Sequence, residues 1–342
     1  MTKKYAMGID IGGTNTAFGL VDEDGNVVAE SKISTDKFKY FDDYKPYIET
    51  LAAAMKELIA TQPECDLIGI GVGAPNANIH SGRIETPANL WKFEDPADPR
   101  PDSIRIFNFV EDLGRLMGGT KVMITNDANA AAIGEMVFGN ARGMKDFAMI
   151  TLGTGLGSGI VCNGEMVYGN DGFAGEYGHI AAASRKTGRQ CGCGRKGCLE
   201  AYVSATGIKR TAFDLMASMT CESELRSIPF DKFEAKMLSD AAAKNDPIAL
   251  EAFERTGKVL GLALADLTAI TSPEAIILFG GLANAGEYIM RPTHKYMEEN
   301  QLMVFKGKVK LLMSGIQDKN VAILGGAALI WKQHLEAVIE NY

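Results

Sequence analysis

The chain has 342 residues, of which 46% are hydrophobic and 23% are charged, and its formal net charge is −8. This length is sufficient for two globular lobes, each with its own core. The negative charge argues against a general nucleic-acid-binding protein, which usually carries a basic face. No apolar run approaches the length of a membrane span, and a strand pattern begins too early for a signal peptide, so a cytoplasmic protein is expected.

The N-terminal part of the sequence predicts three strands joined by two tight turns, followed by a helix and two buried strands. Apolar residues recur at helical spacing from Ile48 to Ile59, and Pro63 marks the end of that helix. Glycine-containing turns separate the first three strands. The predicted strands cover residues 5–11, 16–21, 27–29, 67–72 and 121–125.

A similar pattern starts again near Phe147. A strand there ends in glycines, and Asn163-Gly164 predicts a tight hairpin after it. The segment Ile150-Thr151-Leu152-Gly153 resembles Ile9-Asp10-Ile11-Gly12. Later strands are predicted at residues 276–279 and 309–313, and helices at 259–270 and 321–338. The repetition indicates duplicated βββαβαβα units, and therefore two similar α/β lobes with a cleft between them.

The expected division places an N-terminal lobe in residues 1–122 and a C-terminal lobe in residues 123–320. The helix in residues 321–342 is expected to pack back on the first lobe and complete it. No Pro- or Ser-rich linker separates the lobes, so the connection between them should be short.

Two glycine turns are candidate phosphate-binding sites, Gly12-Gly13-Thr14 and Gly153-Thr154-Gly155. Glycine lets the backbone approach a phosphate closely and direct its N–H groups at it. Asp10, at the end of the preceding strand, could hold Mg²⁺ through water. Alternatively, the glycines merely permit tight hairpins. Neither turn has Walker or dinucleotide-fold spacing, so nucleotide binding here would require another architecture.

Asp127 follows a predicted strand and precedes an alanine-rich helix. A carboxylate at such a junction feels the positive end of the helix dipole, which favours its ionised form. A catalytic role is one interpretation. The other is that Asp127 only caps the helix, which is a common use of aspartate.

Three of the six cysteines, Cys191, Cys193 and Cys198, lie within eight residues of one another, and His179 precedes them. Three thiolates and one imidazole make a closed tetrahedral set, as in structural zinc sites. Intervening glycines would let so short a loop, residues 179–198, wrap a metal. A cluster of free thiols is the alternative interpretation.

Five motifs in order give a more specific indication, and together they resemble the ROK family (repressors, open reading frames and kinases). That family has the actin-like ATPase (ribonuclease H-like) fold, and the resemblance extends from Asp10 to about Gly326. The motifs are Asp10-Ile-Gly-Gly-Thr14, Asn126-Asp127-Ala-Asn-Ala-Ala-Ala, Gly175-Glu176-Tyr-Gly-His179, Cys191-Gly-Cys-Gly-x-x-Gly-Cys198-x-Glu200 and Phe279-Gly280-Gly281.

The resemblance implies a kinase that uses ATP and Mg²⁺, carries structural Zn²⁺ and forms a homodimer. It makes Asp127 the acceptor of the proton from the 6-hydroxyl of a hexose. The glycine turns, with Gly280 and Gly281, would contact the nucleotide. The segment from Cys191 to Ser204 resembles the glucokinase branch, although mannose, fructose, N-acetylmannosamine and N-acetylglucosamine stay open as substrates. The residues implied around the hexose are Asn89, Asn126, Asp127, Glu176, His179 and Glu200.

One segment departs from the usual family pattern, because Asn76 stands where glycine is common and Asn78 follows it. Both are expected to face the sugar pocket and to bear on substrate choice. Two other functions are alternatives to a kinase. A sugar-responsive repressor would need a helix-turn-helix before the first strand, and a non-catalytic sugar-binding protein would not need Asp10 and Asp127.

Overall fold

The computed structural model of the chain describes residues 3–38, 44–86, 106–316 and 321–340. The strands are β1 (Lys3–Ile11), β2 (Asn15–Val21), β3 (Val27–Ser34), β4 (Cys65–Gly73), β5 (Ala77–Asn78), β6 (Arg83–Glu85), β7 (Ile106–Phe107), β8 (Val122–Thr125), β9 (Phe147–Leu152), β10 (Leu156–Cys162), β11 (Glu165–Met166), β12 (Ala275–Phe279) and β13 (Lys310–Met313). The α-helices are α1 (Lys45–Ala60), α2 (Phe109–Leu116), α3 (Asp127–Phe138), α4 (Ala205–Ser218), α5 (Ala235–Ala242), α6 (Pro247–Thr271), α7 (Glu287–Asn300) and α8 (Val321–Glu340).

The sheet of the N-terminal part has the strand order β3-β2-β1-β4-β8. β1, β2 and β3 pair antiparallel because short turns join them. β4 and β8 pair parallel, each after a stretch of chain that includes a helix, α1 or α2. A small sheet of β5, β6 and β7 lies between β4 and α2 in the sequence.

Residues alternate between the two faces of β1. Met7 and Ile9 are fully buried in the core that includes residues of α1 and α2. Gly8 lies on the other face, paired with Gly71 of β4, and α8 packs there. A Cβ at Gly8 would lie 1.8 Å from the Ile323 carbonyl oxygen, so this close approach of helix to sheet requires glycine.

The second sheet has the order β11-β10-β9-β12-β13, which repeats the first one strand for strand. β9 and β10 pair antiparallel, while β12 and β13 add in parallel. Asn163 and Gly164 both have positive φ, as the predicted hairpin requires. The duplicated strand pattern predicted from the sequence is thus confirmed.

Helices α4 to α7 and the strands of the second sheet together form the core of this second part, and α6 contributes the most buried residues. The N-cap Asp246 accepts hydrogen bonds from the N–H groups of Ile248 and Ala249, and Pro247 occupies the first turn. None of the helices within the described ranges combines the length and apolar character that crossing a membrane needs.

The chain divides into two compact units, and the division differs from the predicted boundary at residue 122. The first unit comprises Met1–Gly143, Met166–Ala174 and Gly315–Tyr342, and the second comprises Met144–Glu165 and Gly175–Ser314. β8 and α3 therefore belong to the first unit, because α3 packs against α8. The contact is close, since a Cβ at Gly134 would lie 3.2 Å from the Cα of Gly325.

Candidate active site and metal centre

Asp10 and Asp127 lie at the same edge of the sheet in the first unit. The register pairs Asp10 of β1 with Gly73 of β4, and Gly73 with Thr125 of β8. Asp127 follows two residues later and begins α3. The carboxyl ends of parallel strands are the usual place for ligands in α/β sheets. Gly73 lies between the two acids, and a Cβ at this position would lie 3.7 Å from the Asp127 Cα.

Both carboxyl groups are harder to ionise than an ordinary aspartate. Burial, followed by the negative charge of Asp127, raises the pKa of Asp10 from 3.8 to about 6. Burial also raises the pKa of Asp127, against the hydrogen bond that the Ala128 N–H donates to its Oδ1 at 2.8 Å. The Asp127 side chain is nevertheless exposed, so protein atoms crowd the carboxyl group without closing it off from a ligand. A raised pKa makes a carboxylate a better proton acceptor.

The N-cap of α3 is Asn126. Its Oδ1 accepts a hydrogen bond from the Ala128 N–H at 2.9 Å and satisfies one of the free donors at the start of the helix. Asp127 is the first residue inside the helix. The helix cap is therefore Asn126 and not Asp127. Because the Asn126 Oδ1 is used in the cap, its Nδ2 is the side-chain atom that could donate to a ligand.

The first predicted glycine turn joins β1 to β2. The Gly12 N–H donates to the Asn15 carbonyl at 3.0 Å, so this amide is used within the turn. The Thr14 carbonyl accepts from the Thr35 N–H at 2.9 Å, which fixes the turn against the end of β3. The Thr14 side chain is exposed, and Gly13 is partly exposed. Gly13 and Thr14 thus present the groups that are open to a ligand.

The second predicted turn, Gly153–Gly155, lies beside Gly280 and Gly281 in the second unit. Gly280 has a φ of +106°, and a Cβ there would lie 2.6 Å from the Leu152 carbonyl oxygen, so only glycine fits. In contrast, a Cβ at Gly153 or Gly281 would meet no protein atom within 4 Å. The backbone at these two positions is therefore open to a ligand. Thr154, which lies between Gly153 and Gly155, is exposed.

The four predicted metal ligands converge. The ligand atoms of His179, Cys191, Cys193 and Cys198 all lie within 4.8 Å of one another. The Sγ atoms of Cys193 and Cys198 are 3.7 Å apart, and the Cys191 Sγ is 3.8 Å from the His179 Nδ1. A tetrahedral zinc with bonds of about 2.3 Å to sulfur places its ligands about 3.8 Å apart. The donor set and its spacing therefore fit zinc.

Two arginine side chains, Arg185 and Arg195, form hydrogen bonds with these sulfurs. Arg185 donates to the Cys198 Sγ at 3.2 Å and to the His179 carbonyl at 2.9 Å. Burial opposes ionisation of Cys193, but hydrogen bonds from the backbone and side chain of Arg195, together with those from the Cys191 and Cys198 thiols, outweigh it and lower the pKa of Cys193 to about 6. The thiolate is the form that binds metal, so this environment favours metal binding.

His179 and Glu200 each connect the cysteine cluster to other groups of the second unit. The His179 Nδ1 faces Cys191, and its Nε2 lies 3.9 Å from the Glu176 Oε2. One ring nitrogen is thus directed at the metal cluster, and the other is directed away from it. The Glu200 Oε2 accepts from the Leu156 N–H at 3.0 Å, next to the second glycine turn.

Comparisons with known proteins identify the family. The model of the ROK family matches residues 6–334 of the chain. The chain is 32% identical over 341 residues to a glucokinase of Halalkalibacterium halodurans, covering 97% of each. It is also 32% identical over 332 residues to a glucokinase of Thermotoga maritima, covering 96% of this chain and 98% of that protein. The chain belongs to the ROK family.

A solved structure supports the same relationship. The ROK family glucokinase of Streptomyces griseus, in complex with glucose and AMPPNP, aligns with a TM-score of 0.74 at 29% identity, covering 95% of this chain and 98% of that one. The fold is therefore the actin-like ATPase fold of ROK sugar kinases, as the five motifs implied. Its strand duplication is the one described above.

Three asparagines predicted to lie near the sugar remain to be placed: Asn89, Asn78 and Asn76. Asn89 lies outside the described residues. Asn78 is 6% exposed, and its amide binds within the first unit: Oδ1 accepts from the His80 N–H at 2.9 Å and Nδ2 donates to the Asp171 carbonyl at 2.7 Å. The Asn76 side chain donates to a backbone carbonyl in the same region. The expectation that Asn78 faces a sugar is therefore wrong, because its hydrogen bonds hold local structure.

Sequence reasoning missed three residues near the candidate site. Gly73 could have been found from the alternating glycines of β4, which leave one face of the strand without side chains. Thr16 pairs with Ile11 at the end of β1 and is buried with Tyr47, and the Thr16 Oγ1 lies 2.6 Å from the Tyr47 hydroxyl. No local pattern in the sequence predicts that pair.

Proposed function

We propose that this ROK protein is an ATP-dependent hexose kinase that phosphorylates the 6-hydroxyl, with glucose as the first candidate substrate. The observation that carries the proposal is the pair Asp10 and Asp127, which lie at the carboxyl ends of β1 and β8 on either side of β4 and both have a raised pKa. A protein that only bound sugar would not need two partly desolvated acids at one edge of a sheet. The similarity to glucokinases favours glucose among hexoses.

In this proposal, Asp127 accepts the proton of the 6-hydroxyl as the oxygen attacks the γ-phosphorus, and the bond from that phosphorus to the β,γ-bridging oxygen breaks to release ADP. Phosphoryl transfer has a loose transition state, so orientation and charge neutralisation supply most of the acceleration. The raised pKa of Asp127 brings it closer to that of an effective general base at neutral pH. Asp10 would hold Mg²⁺ through water, and that ion supplies neutralisation of phosphate charge when bound.

The glycine turns would hold the phosphates through backbone N–H groups. Gly13 with Thr14, and Gly153 with Gly281, leave backbone or hydroxyl groups accessible. Backbone amides add no positive charge of their own but direct several dipoles at one anion. This is consistent with a protein that binds a triphosphate despite its net charge of −8.

The sugar-binding roles are assigned from the family pattern. Asn89, Asn126, Glu176, His179 and Glu200 would bind the hexose together with Asp127. Carboxylates, amides and imidazole suit a polyol because each can accept or share several hydroxyl hydrogen bonds. The His179 Nε2, directed away from the cysteines, is the nitrogen available for a sugar.

The metal role is proposed as structural. Zn²⁺ would be held by His179, Cys191, Cys193 and Cys198, with no open position for chemistry. A bound metal would fix the orientation of the His179 ring, as ligation does elsewhere. We also propose a cytoplasmic homodimer, as the family resemblance implies; light scattering of the purified protein tests the dimer.

A coupled assay of ADP release tests the function. Purified protein is incubated with Mg²⁺ and ATP together with glucose, mannose, fructose, N-acetylmannosamine or N-acetylglucosamine, and ATP without sugar is the control. We expect sugar-dependent ADP release that is fastest with glucose, and ³¹P NMR of the product should show a 6-phosphate. Preference for another of these sugars would revise the substrate alone. Sugar binding without ADP release would refute the kinase and support a regulator.

A further inference from the structure

The second glycine turn is held by two residues that come seven and eight positions after Cys198, the last cysteine of the metal cluster. The Ala205 N–H donates to the Gly153 carbonyl at 2.9 Å. The Thr206 hydroxyl donates to the Thr154 carbonyl at 3.2 Å. Both donors lie at the start of α4, a few residues after Cys198. The conformation of the turn therefore depends on where this segment is placed.

Glu200 adds a direct connection between the turn and the cysteines. Its Oε2 accepts from the Leu156 N–H at 3.0 Å, and its Oε1 accepts from the Cys191 thiol at 3.3 Å, a hydrogen bond that ends when this thiol is deprotonated to bind a metal. A Cβ at Gly155 would lie 2.4 Å from the same Oε2, so the carboxylate occupies the space beside the turn that a side chain would need. One carboxylate, two residues after the metal ligand Cys198, thus contacts both the cysteine loop and the turn.

We propose that Glu200 is a positioning residue that couples the metal cluster to the turn Gly153–Gly155, so that metal occupancy controls affinity for the phosphoryl donor. The inference rests on the proposed function, in which this turn binds phosphates. It extends that function because the metal then acts on the nucleotide as well as on the sugar.

The physical reason is the weak intrinsic stability of the cysteine loop. Residues 191–198 include three glycines, and the buried residues that pack locally are Cys191, Cys198 and Ala201. Such a loop has little apolar area to offset its conformational entropy, so a bound metal would stabilise it. When the loop is fixed, Glu200 is held against the Leu156 N–H. When the loop is released, that N–H loses a charged acceptor, and the turn becomes less ordered for ligand binding.

Calorimetric titration with a non-hydrolysable ATP analogue and Mg²⁺, without sugar, tests the coupling. Glu200→Ala should weaken analogue binding roughly tenfold, since one charge-assisted hydrogen bond is lost. Glu200→Gln should stay within about threefold of wild type, because its amide oxygen can still accept from the Leu156 N–H. Glu222→Ala, which removes an exposed acid elsewhere in the second unit, is the matched control. Bound zinc and the melting temperature are measured on every sample.

Chelation of the metal completes the test. Metal-depleted wild type should lose about as much analogue affinity as Glu200→Ala, and depletion of Glu200→Ala should cause little further loss, because both changes break the same connection. Losses that simply add, or unchanged analogue affinity in Glu200→Ala with weaker glucose binding, would overturn the coupling and leave the kinase intact. If wild type bound no analogue, the proposed function would fail together with the coupling. If Glu200→Ala does not fold, Glu200→Gln and metal-depleted wild type decide the question.

Discussion

Replacing Asp10 with asparagine should stabilise the first unit at neutral and alkaline pH. Burial and Asp127 raise the pKa of Asp10 from 3.8 to about 6. The folded state therefore favours the protonated form, so the stability from Asp10 is fully present below pH 3.8 and is lost as pH rises through 6. A shift of this size corresponds to about 3 kcal/mol. Because Asp10 is partly exposed, we expect about 1–3 kcal/mol of extra unfolding free energy in Asp10→Asn at pH 8.

Urea unfolding between pH 4 and pH 8 measures this effect. The fluorescence of Trp331 reports the first unit, because its indole is 2% exposed and donates to the Val21 carbonyl at 3.1 Å. The stability difference between Asp10→Asn and wild type should be small near pH 4 and should grow to its full value by pH 8. Asp24→Asn, the same change at an exposed turn, is the control. A difference that does not vary with pH, or a variant less stable than wild type at pH 8, would refute the reasoning.

Three further changes test the packing and the metal centre. Gly8→Ala should destabilise the first unit by roughly 3 kcal/mol or more in urea unfolding, because its Cβ would lie 1.8 Å from a carbonyl oxygen of α8; near wild-type stability would show that α8 does not pack there. Cys198→Ser should abolish stoichiometric zinc in metal analysis and lower the melting temperature, whereas Cys221→Ser should do neither. Thr16→Val should cost about 1–3 kcal/mol of unfolding free energy, because Thr16 and the Tyr47 hydroxyl are buried 2.6 Å apart; a neutral effect would contradict that hydrogen bond.

Local signals predicted most of the fold correctly. The Asn163-Gly164 hairpin, the helix that ends before Pro63 and the repeat of the first strands all have short-range causes. The position of α3 could not be predicted in the same way. It belongs to the first unit because Gly134 packs against Gly325, and two residues so far apart in sequence show no local pattern.

The candidate site shows the same limit. Spacing identified the cysteine cluster and Asp127, since metal ligands and strand-to-helix junctions have recognisable sequence patterns. Spacing could not show that Asn126 takes the cap, or that Asn78 uses its amide inside the first unit. It also could not show that Glu200 reaches the Leu156 N–H. Each of these depends on where a side chain finds a partner in three dimensions.

The turnover of Asp127→Asn tests the central claim most directly. This substitution keeps the size of the side chain and removes its negative charge, so binding and proton transfer can be separated. We expect kcat with glucose to fall about 10²–10⁴-fold while the Kd for glucose stays within a few-fold of wild type. A kcat within a few-fold of wild type, with glucose binding retained, would contradict the assignment of Asp127 as the proton acceptor.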